Sequence, residues 1–376
     1  GNVLDGPDTS PLVIFSQGAG HVNPNGATDP GLVFDSSAND WLAFVCGASP
    51  GAVSADLCAL LRTAGYSTDP SDLNQASIAI GDLAGTQTVV RRVTNVGGSA
   101  STYTASVAGL GGIDVSVSPA TFTLAPGATR RISVSFTRTT AALNTYSAGQ
   151  LYLTDGIHTV RSPMVVSPVP LAAPAALTGS GTPINYSVKF GYEGPFSAQA
   201  VGLVPASITA DTVADDPTDG SCSPSAPNAR TYPVSIGAGT EFARFALFDA
   251  DVNAGSDLDL CVYAGATLVG ASAGGSSAEE VLLRAPSAGS YTVVVQGWGV
   301  AGATPFKLNS WIVQGGSAGN MSVSGPISAS IGATGQLSLG FSGLASGTRY
   351  TGAVAYSGVA GMSSTLLKVK IGRAHV

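Results

Sequence analysis

Charge is scarce in this chain. Sixteen Lys and Arg stand against 23 Asp and Glu in 376 residues, and there are only three histidines. A net charge of -7 spread this thinly supplies no basic row to neutralise phosphates, which argues against nucleic acid as a partner. The same balance argues against an anionic membrane surface, and no apolar run is long enough to span a bilayer. Four cysteines without a C-x-x-C, together with so few histidines, argue against a zinc site. A secretory leader is missing too, since residues 1–10 are polar and acidic and the chain begins with Gly; both fit a chain lacking its front.

What is present is small, β-branched and turn-forming. Gly (49) and Pro (22) accompany abundant Ala, Ser, Thr and Val, the composition of sheets joined by tight turns, so the expected class is mainly all-β. The cysteines fall as a close pair, Cys46 and Cys58, and a distant pair, Cys222 and Cys261. Of the three possible pairings we favour these two, which places the protein outside the reducing cytosol; four buried free thiols are the alternative. The last six residues, IGRAHV (371–376), resemble a translated sequencing adapter and are set aside, His375 with them.

Along the chain the period changes. Ser37 and Asp40 form a capping-box signature before an apolar run, with Gly47 as the expected stop. A second helix is expected after Ser54, with Leu57, Leu60 and Leu61 on one face and Gly65 ending it. A Cys46–Cys58 bridge would staple this hairpin. Beyond Asp72 the period becomes two. SIAI, VVRRVTNV, STYTASV, IDVSVS, RISVSF, QLYL and HTVRSPMVV predict about seven strands, the number of a β-sandwich. SPVPLAAPAALTGSGTP reads as an extended linker. TYPVSI, FARFALF, DLDLCVY, EVLL, SYTVVVQG and LNSWIV predict a second set of packed sheets, and QLSLGF and RYTGAVAY a smaller tail.

GAGHVNPNGATDPGLVFD (Gly18 to Asp35) resembles the segment that closes the catalytic domain of subtilisin-like serine peptidases, best in their cucumisin-like branch, and NDWLAFVCG resembles the Cys-containing helix that follows it. DLNQASIAI and VVRRVTNVG resemble the entry and first long strand of that family's fibronectin type III-like domain; Gln75-Ala76 departs from the Tyr-Pro common in plant members and points to bacterial relatives. ALFDADVNAGSDLDLCVYAG with SAGSYTVVVQGW looks like a bacterial pre-peptidase C-terminal domain. The resemblance divides the chain as follows: residues 1–70, the end of a peptidase catalytic domain; 71–168, the fibronectin-like sandwich; 169–183, the linker; 184–316, the pre-peptidase-like sandwich; 317–370, a small β module.

Subtilisin-type catalysis needs an Asp that orients a His, which takes the proton of an attacking Ser. The family's Asp-[Ser/Thr]-Gly, His-Gly-Thr-His and Gly-Thr-Ser-Met-Ala runs do not occur here. No catalytic residue is assigned. His21 reads as a structural imidazole and His158 as exposed at a strand end. The expected identity is therefore the non-catalytic C-terminal portion of a secreted subtilisin-like endopeptidase. Its partners would be its own upstream catalytic domain and the parent's protein substrates. The rival is a secreted or surface β-module protein for adhesion or polysaccharide binding, which leaves Gly18 to Asp35 unexplained.

One stretch has ligand chemistry. Asp249, Asp251, Asn253, Asp257 and Asp259 supply hard oxygen donors within eleven residues, the type Ca²⁺ takes, although the spacing is not that of an EF-hand. An ordinary solvated acidic loop is the alternative. Asp215, Asp216 and Asp219 read as a plain loop. Trp298, Tyr291 and Trp311 are accounted for by core or edge packing.

Overall fold

A computed structural model describes residues 11–49 and 51–372. The polar first ten residues, and His375 in the adapter-like tail, lie outside the described residues.

The chain opens with two single-turn helices, α1 (Ile14–Gln17) and α2 (Pro24–Ala27), and a two-residue strand, β1 (Leu32–Val33). α3 (Ala38–Ala48) carries the full capping box: the Ser37 hydroxyl accepts from the Asp40 amide, and the Asp40 carboxylate accepts from the Ser37 amide. Gly47 does not stop this helix. A Cβ there would stand 1.9 Å from the Thr68 carbonyl, so glycine is needed for close backbone approach. α4 (Ala55–Thr63) ends as expected, with Gly65 at φ +88 and the Tyr66 amide reaching back to the Leu61 carbonyl. Leu61 is buried, whereas Leu57 and Leu60 are exposed.

The first sandwich has strands β2 (Ile78–Leu83), β3 (Thr86–Asn95), β4 (Ser101–Gly109), β5 (Ile113–Ser118), β6 (Thr121–Leu124), β7 (Thr129–Arg138), β8 (Ser147–Thr154) and β9 (Thr159–Pro168). One sheet runs β1-β3-β7-β5 and the other β2-β9-β8-β4-β6. Alternation puts Ile132, Val134 and Phe136 of β7 wholly inside, against Tyr103, Leu151 and Leu153 of the facing sheet. Two strands escaped the sequence pattern. β6 is only four residues between prolines, and β1 belongs to the opening motif.

The remainder departs from the expected division. Next come β10 (Leu171–Ala172), β11 (Ala176–Gly179), β12 (Ile184–Phe190), β13 (Gly194–Pro195) and β14 (Ser197–Pro205). Then follow β15 (Ser207–Ala214), β16 (Arg230–Ile236), β17 (Thr240–Ala246), β18 (Asp257–Ala264), β19 (Thr267–Ser272), β20 (Glu280–Arg284), β21 (Gly289–Gly299) and β22 (Ala303–Gln314). The chain closes with β23 (Met321–Ser324), β24 (Ser328–Ala329), β25 (Thr334–Phe341), β26 (Arg349–Ser357) and β27 (Thr365–Lys370). β15 to β22 form one sandwich, with sheets β15-β22-β17-β20 and β16-β21-β18-β19. The strands before and after it close together into another, β10-β12-β25-β23 over β11-β27-β26-β14.

The stretch expected as a linker, 169–183, thus supplies two strands. Both lie at sheet ends, where proline is tolerated because one edge needs no amide donor. The 317–370 segment is likewise no separate module: Ile184 pairs with Leu339, and Tyr186, Phe190, Leu337, Leu339, Val354 and Leu367 share one core. The pre-peptidase-like sandwich is nested inside this outer one. Val201, Phe242, Val313, Ala353 and Leu366 pack between the two.

Candidate functional site: an interdomain seam and an acidic end

The second half of the opening motif, from Asp29, meets the first sandwich at a seam. Leu32 and Val33 pair with Asn95 and Thr94 of β3, and Leu32 enters the core. The Gly31 carbonyl accepts the Val96 amide at 3.0 Å. Gly31 itself has φ +70, and a Cβ there would lie 2.7 Å from the Tyr103 hydroxyl, so only glycine closes this turn. The Arg161 guanidinium donates to the Ala19 carbonyl.

The DLN run supplies the second clamp. Asp72 accepts the Val90 amide at 2.8 Å, and Asn74 accepts the Arg92 amide at 2.6 Å. The Asn74 amide group donates to the Arg92 carbonyl at 3.0 Å and to the Asp35 carbonyl at 2.8 Å, while the Ser36 hydroxyl donates to the Asn74 carbonyl. Buried Asn74 therefore replaces a missing strand beside β3 and ties the end of the motif to it. Arg92 Nη2 also reaches both Asp40 oxygens at 2.8 Å, joining the cap of α3 to β3. Burial opposes ionisation of Asp40, but hydrogen bonds from Arg92 and Ser37 outweigh it and hold the carboxyl below its usual value.

His158 is the third clamp, and here the expectation of simple exposure fails. Its Nδ1 lies 2.9 Å from Asp155 and its Nε2 3.2 Å from Asp29 of the opening motif. The Asp155 carboxylate also takes the Ile157 and His158 amides. Hydrogen bonds to Asp155 and then Asp29 raise the imidazole pKa, and Asp155 is held well below the usual carboxylate range despite burial. Burial, then the Asp155 charge, pushes the Tyr103 hydroxyl up to about 12. Nδ1 is hydrogen-bonded to Asp155, whereas Nε2 lies only at ion-pair distance from the exposed Asp29. His21 is exposed on its loop.

Disulfides join Cys46 to Cys58, across the α3–α4 hairpin, and Cys222 to Cys261. The second fixes the 215–229 loop to β18. Asp216 of that loop is no plain surface residue: fully buried, it accepts from the Thr218 amide and hydroxyl and from Gln296 at 2.7 Å. Those bonds, that of the Thr218 hydroxyl first, lower its pKa.

The five oxygen donors at 249–259 do not gather. Asp251 pairs with Lys307 at 2.9 Å and lies 3.9 Å from Arg349. The Asn253 amide donates to Thr304 and its side chain to the Ala303 carbonyl. Asp257 and Asp259 alternate with the buried Leu258 and Leu260, as period two requires. Burial first, then the charges of Glu279 and Asp249, raises Asp257. Burial first, then Asp257 and Glu279, pushes Asp259 up to about 6. Among the described residues no three acidic, histidine or cysteine side chains are placed to hold a metal ion. Sequence reasoning missed Glu279, which lies twenty residues after Asp259 and meets it only through the turn between β19 and β20.

Comparison with known proteins bears on the seam. A family model described as a fibronectin type-III domain matches residues 72–166, the first sandwich. Subtilisin-like protease SBT2.5 of Arabidopsis thaliana is 42% identical over 154 residues, covering 40% of this chain and 19% of that protein. SBT2.6 of the same plant is 40% identical over 141 residues, covering 37% and 17%. SBT2.2 is 35% identical over 161 residues, covering 42% and 19%. The chain thus spans about a fifth of the length of these curated relatives. About two fifths of this chain is thus similar to part of the subtilisin-like proteases, and the first sandwich matches a fibronectin type-III domain.

Proposed function

We propose that the chain is the non-catalytic C-terminal portion of a secreted subtilisin-like serine endopeptidase, whose fibronectin-like sandwich holds the end of the catalytic domain in place. The observation that carries this reading is the two-sidedness of the α3–α4 hairpin. One side is clamped to β3 through Asp40, Arg92 and Asn74, while Trp41, Leu42, Leu57 and Leu60 stand exposed. A stapled hairpin with exposed large apolar side chains suits a surface that further protein covers. The parent would cleave peptide bonds with residues outside this chain. Two disulfides support an oxidising compartment. No helix among the described residues is long and apolar enough to cross a membrane.

Purified chain incubated with casein should release no peptides, whereas the chain joined to an upstream segment bearing a Gly-Thr-Ser-Met-Ala run should. Casein cleavage by the chain alone, blocked by an active-site serine inhibitor, refutes the reading. Calcium at the acidic end is a lesser part of the proposal: Asp249, Asp251, Asn253, Asp257 and Asp259 stand apart in the structure and would have to draw together on binding it. Millimolar calcium should then raise the melting temperature, and Asp257→Ala should abolish the rise.

A further inference from the structure

The 257–259 region carries a feature that calcium chemistry does not absorb. β18 and β21 pair Asp257 with Gly299 and Leu258 with Gly297, so Trp298 is the extra residue of a β-bulge. A bulge redirects its side chain out of the regular alternation. The flanking glycines permit it: a Cβ on Gly297 would sit 2.5 Å from the Ala214 carbonyl. Whereas Trp311 and Tyr291 are buried as core residues, Trp298 remains 40% exposed.

The indole borders an open pocket of about 460 Å³ whose other walls include Leu268, Ala271, Ala273 and Cys222. Asp259 also lines this pocket. Its residue is only 5% exposed, and the nearby charges acting on it are the carboxylates of Asp257 and Glu279. No hydrogen bond offsets that burial and those two charges at Asp259. Beside it, Oδ1 of Asp257 and Oε1 of Gln296, the cross-strand partner of Asp259, are buried acceptors without donors. Such a group of acceptors is costly unless a donor of opposite charge joins it.

We propose that this pocket receives a lysine or arginine side chain of a separate polypeptide, the cationic head at Asp259 and the aliphatic stem along Trp298, Leu268 and Ala271. A guanidinium or ammonium supplies several donors and one positive charge to the carboxylate of Asp259, the acidic residue that lines the pocket. An aromatic face beside the cation adds attraction, and the apolar walls suit a methylene stem better than the water shell of a metal ion. The inference is independent of the peptidase reading, because the pocket lies wholly within the nested sandwich.

The full chain is titrated calorimetrically with capped Gly-Gly-Arg-Gly-Gly, its lysine counterpart and its citrulline counterpart, with EDTA and again with calcium. The basic peptides should bind in EDTA, and citrulline, which keeps the shape without the charge, at least about tenfold more weakly. Asp259→Asn should weaken the arginine peptide about tenfold or more, and Trp298→Ala about threefold. Asp259→Asn removes like-charge repulsion and is expected to melt no earlier than the parent chain. Should it fail to fold, Trp298→Ala with the citrulline comparison decides the matter. Equal binding of arginine and citrulline peptides, or none at millimolar concentration, overturns the proposal. Binding that appears only with calcium overturns it as well and assigns the oxygens to a metal.

Discussion

Replacing Asn74 with alanine should loosen the seam more than any surface change of similar size. The side chain makes three hydrogen bonds, to the Arg92 amide, the Arg92 carbonyl and the Asp35 carbonyl, and it is 3% exposed. Truncation strands all three backbone groups. A buried unpaired group costs ~1–3 kcal/mol, and water entering the vacated space restores part of it, so the net loss is about 3 kcal/mol. Asn74→Asp tests the same geometry differently. It keeps an acceptor for the Arg92 amide but turns a carboxylate oxygen towards two carbonyls, and should cost as much. Native-state hydrogen exchange suits a local event, because separate modules need not unfold together. Amides on α3 and the Arg92 amide should exchange at least about tenfold faster in both variants, while those of β18 and β25 stay unchanged. If Asn74→Ala leaves these rates unaltered, the side chain is not acting as a substitute strand and the clamp argument is wrong.

Three further outcomes follow from the same geometry. Replacing Cys46 and Cys58 together with serine opens a loop of 12 residues' separation and should cost the hairpin about 3 kcal/mol, read from urea denaturation followed at Trp41. His158 has a raised pKa in the folded state, so its contribution is fully present below the unfolded value of about 6.5 and fades as pH rises through the higher folded value. The melting temperature should therefore fall between neutral and alkaline pH more steeply in the parent than in His158→Gln, and equal slopes would sink the clamp. Arg244 donates to Glu280 and to Thr351 of β26, and its guanidinium lies 4.2 Å over Trp311. Arg244→Ala should cost roughly 3 kcal/mol and separate the unfolding of the nested and outer sandwiches in calorimetry, which a single sharp transition would contradict.

What the sequence determined by itself was much of what depends on neighbours a few residues apart. Ser37 with Asp40 marked the start of α3, and Gly65 the end of α4, because caps are local hydrogen bonds and local φ. Ile132, Val134 and Phe136 announced a buried strand face through the pleat alone. Within the opening motif and the DLN run, Gly31, Asp72 and Asn74 each serve a specific turn or backbone group at the seam. The tertiary structure decided what distant segments share. Nothing in period two tells Ile184 that its partner is Leu339, so the nesting of one sandwich in another was invisible along the chain, and edge strands rich in proline passed for a linker. The acidic end shows the same limit. Asp251 and Asn253 were engaged by Lys307 and Thr304, while Glu279 and Trp298 were brought to Asp259 by a turn and a bulge. Short-range geometry is written in residue order, but electrostatic company is set by where the sheets close.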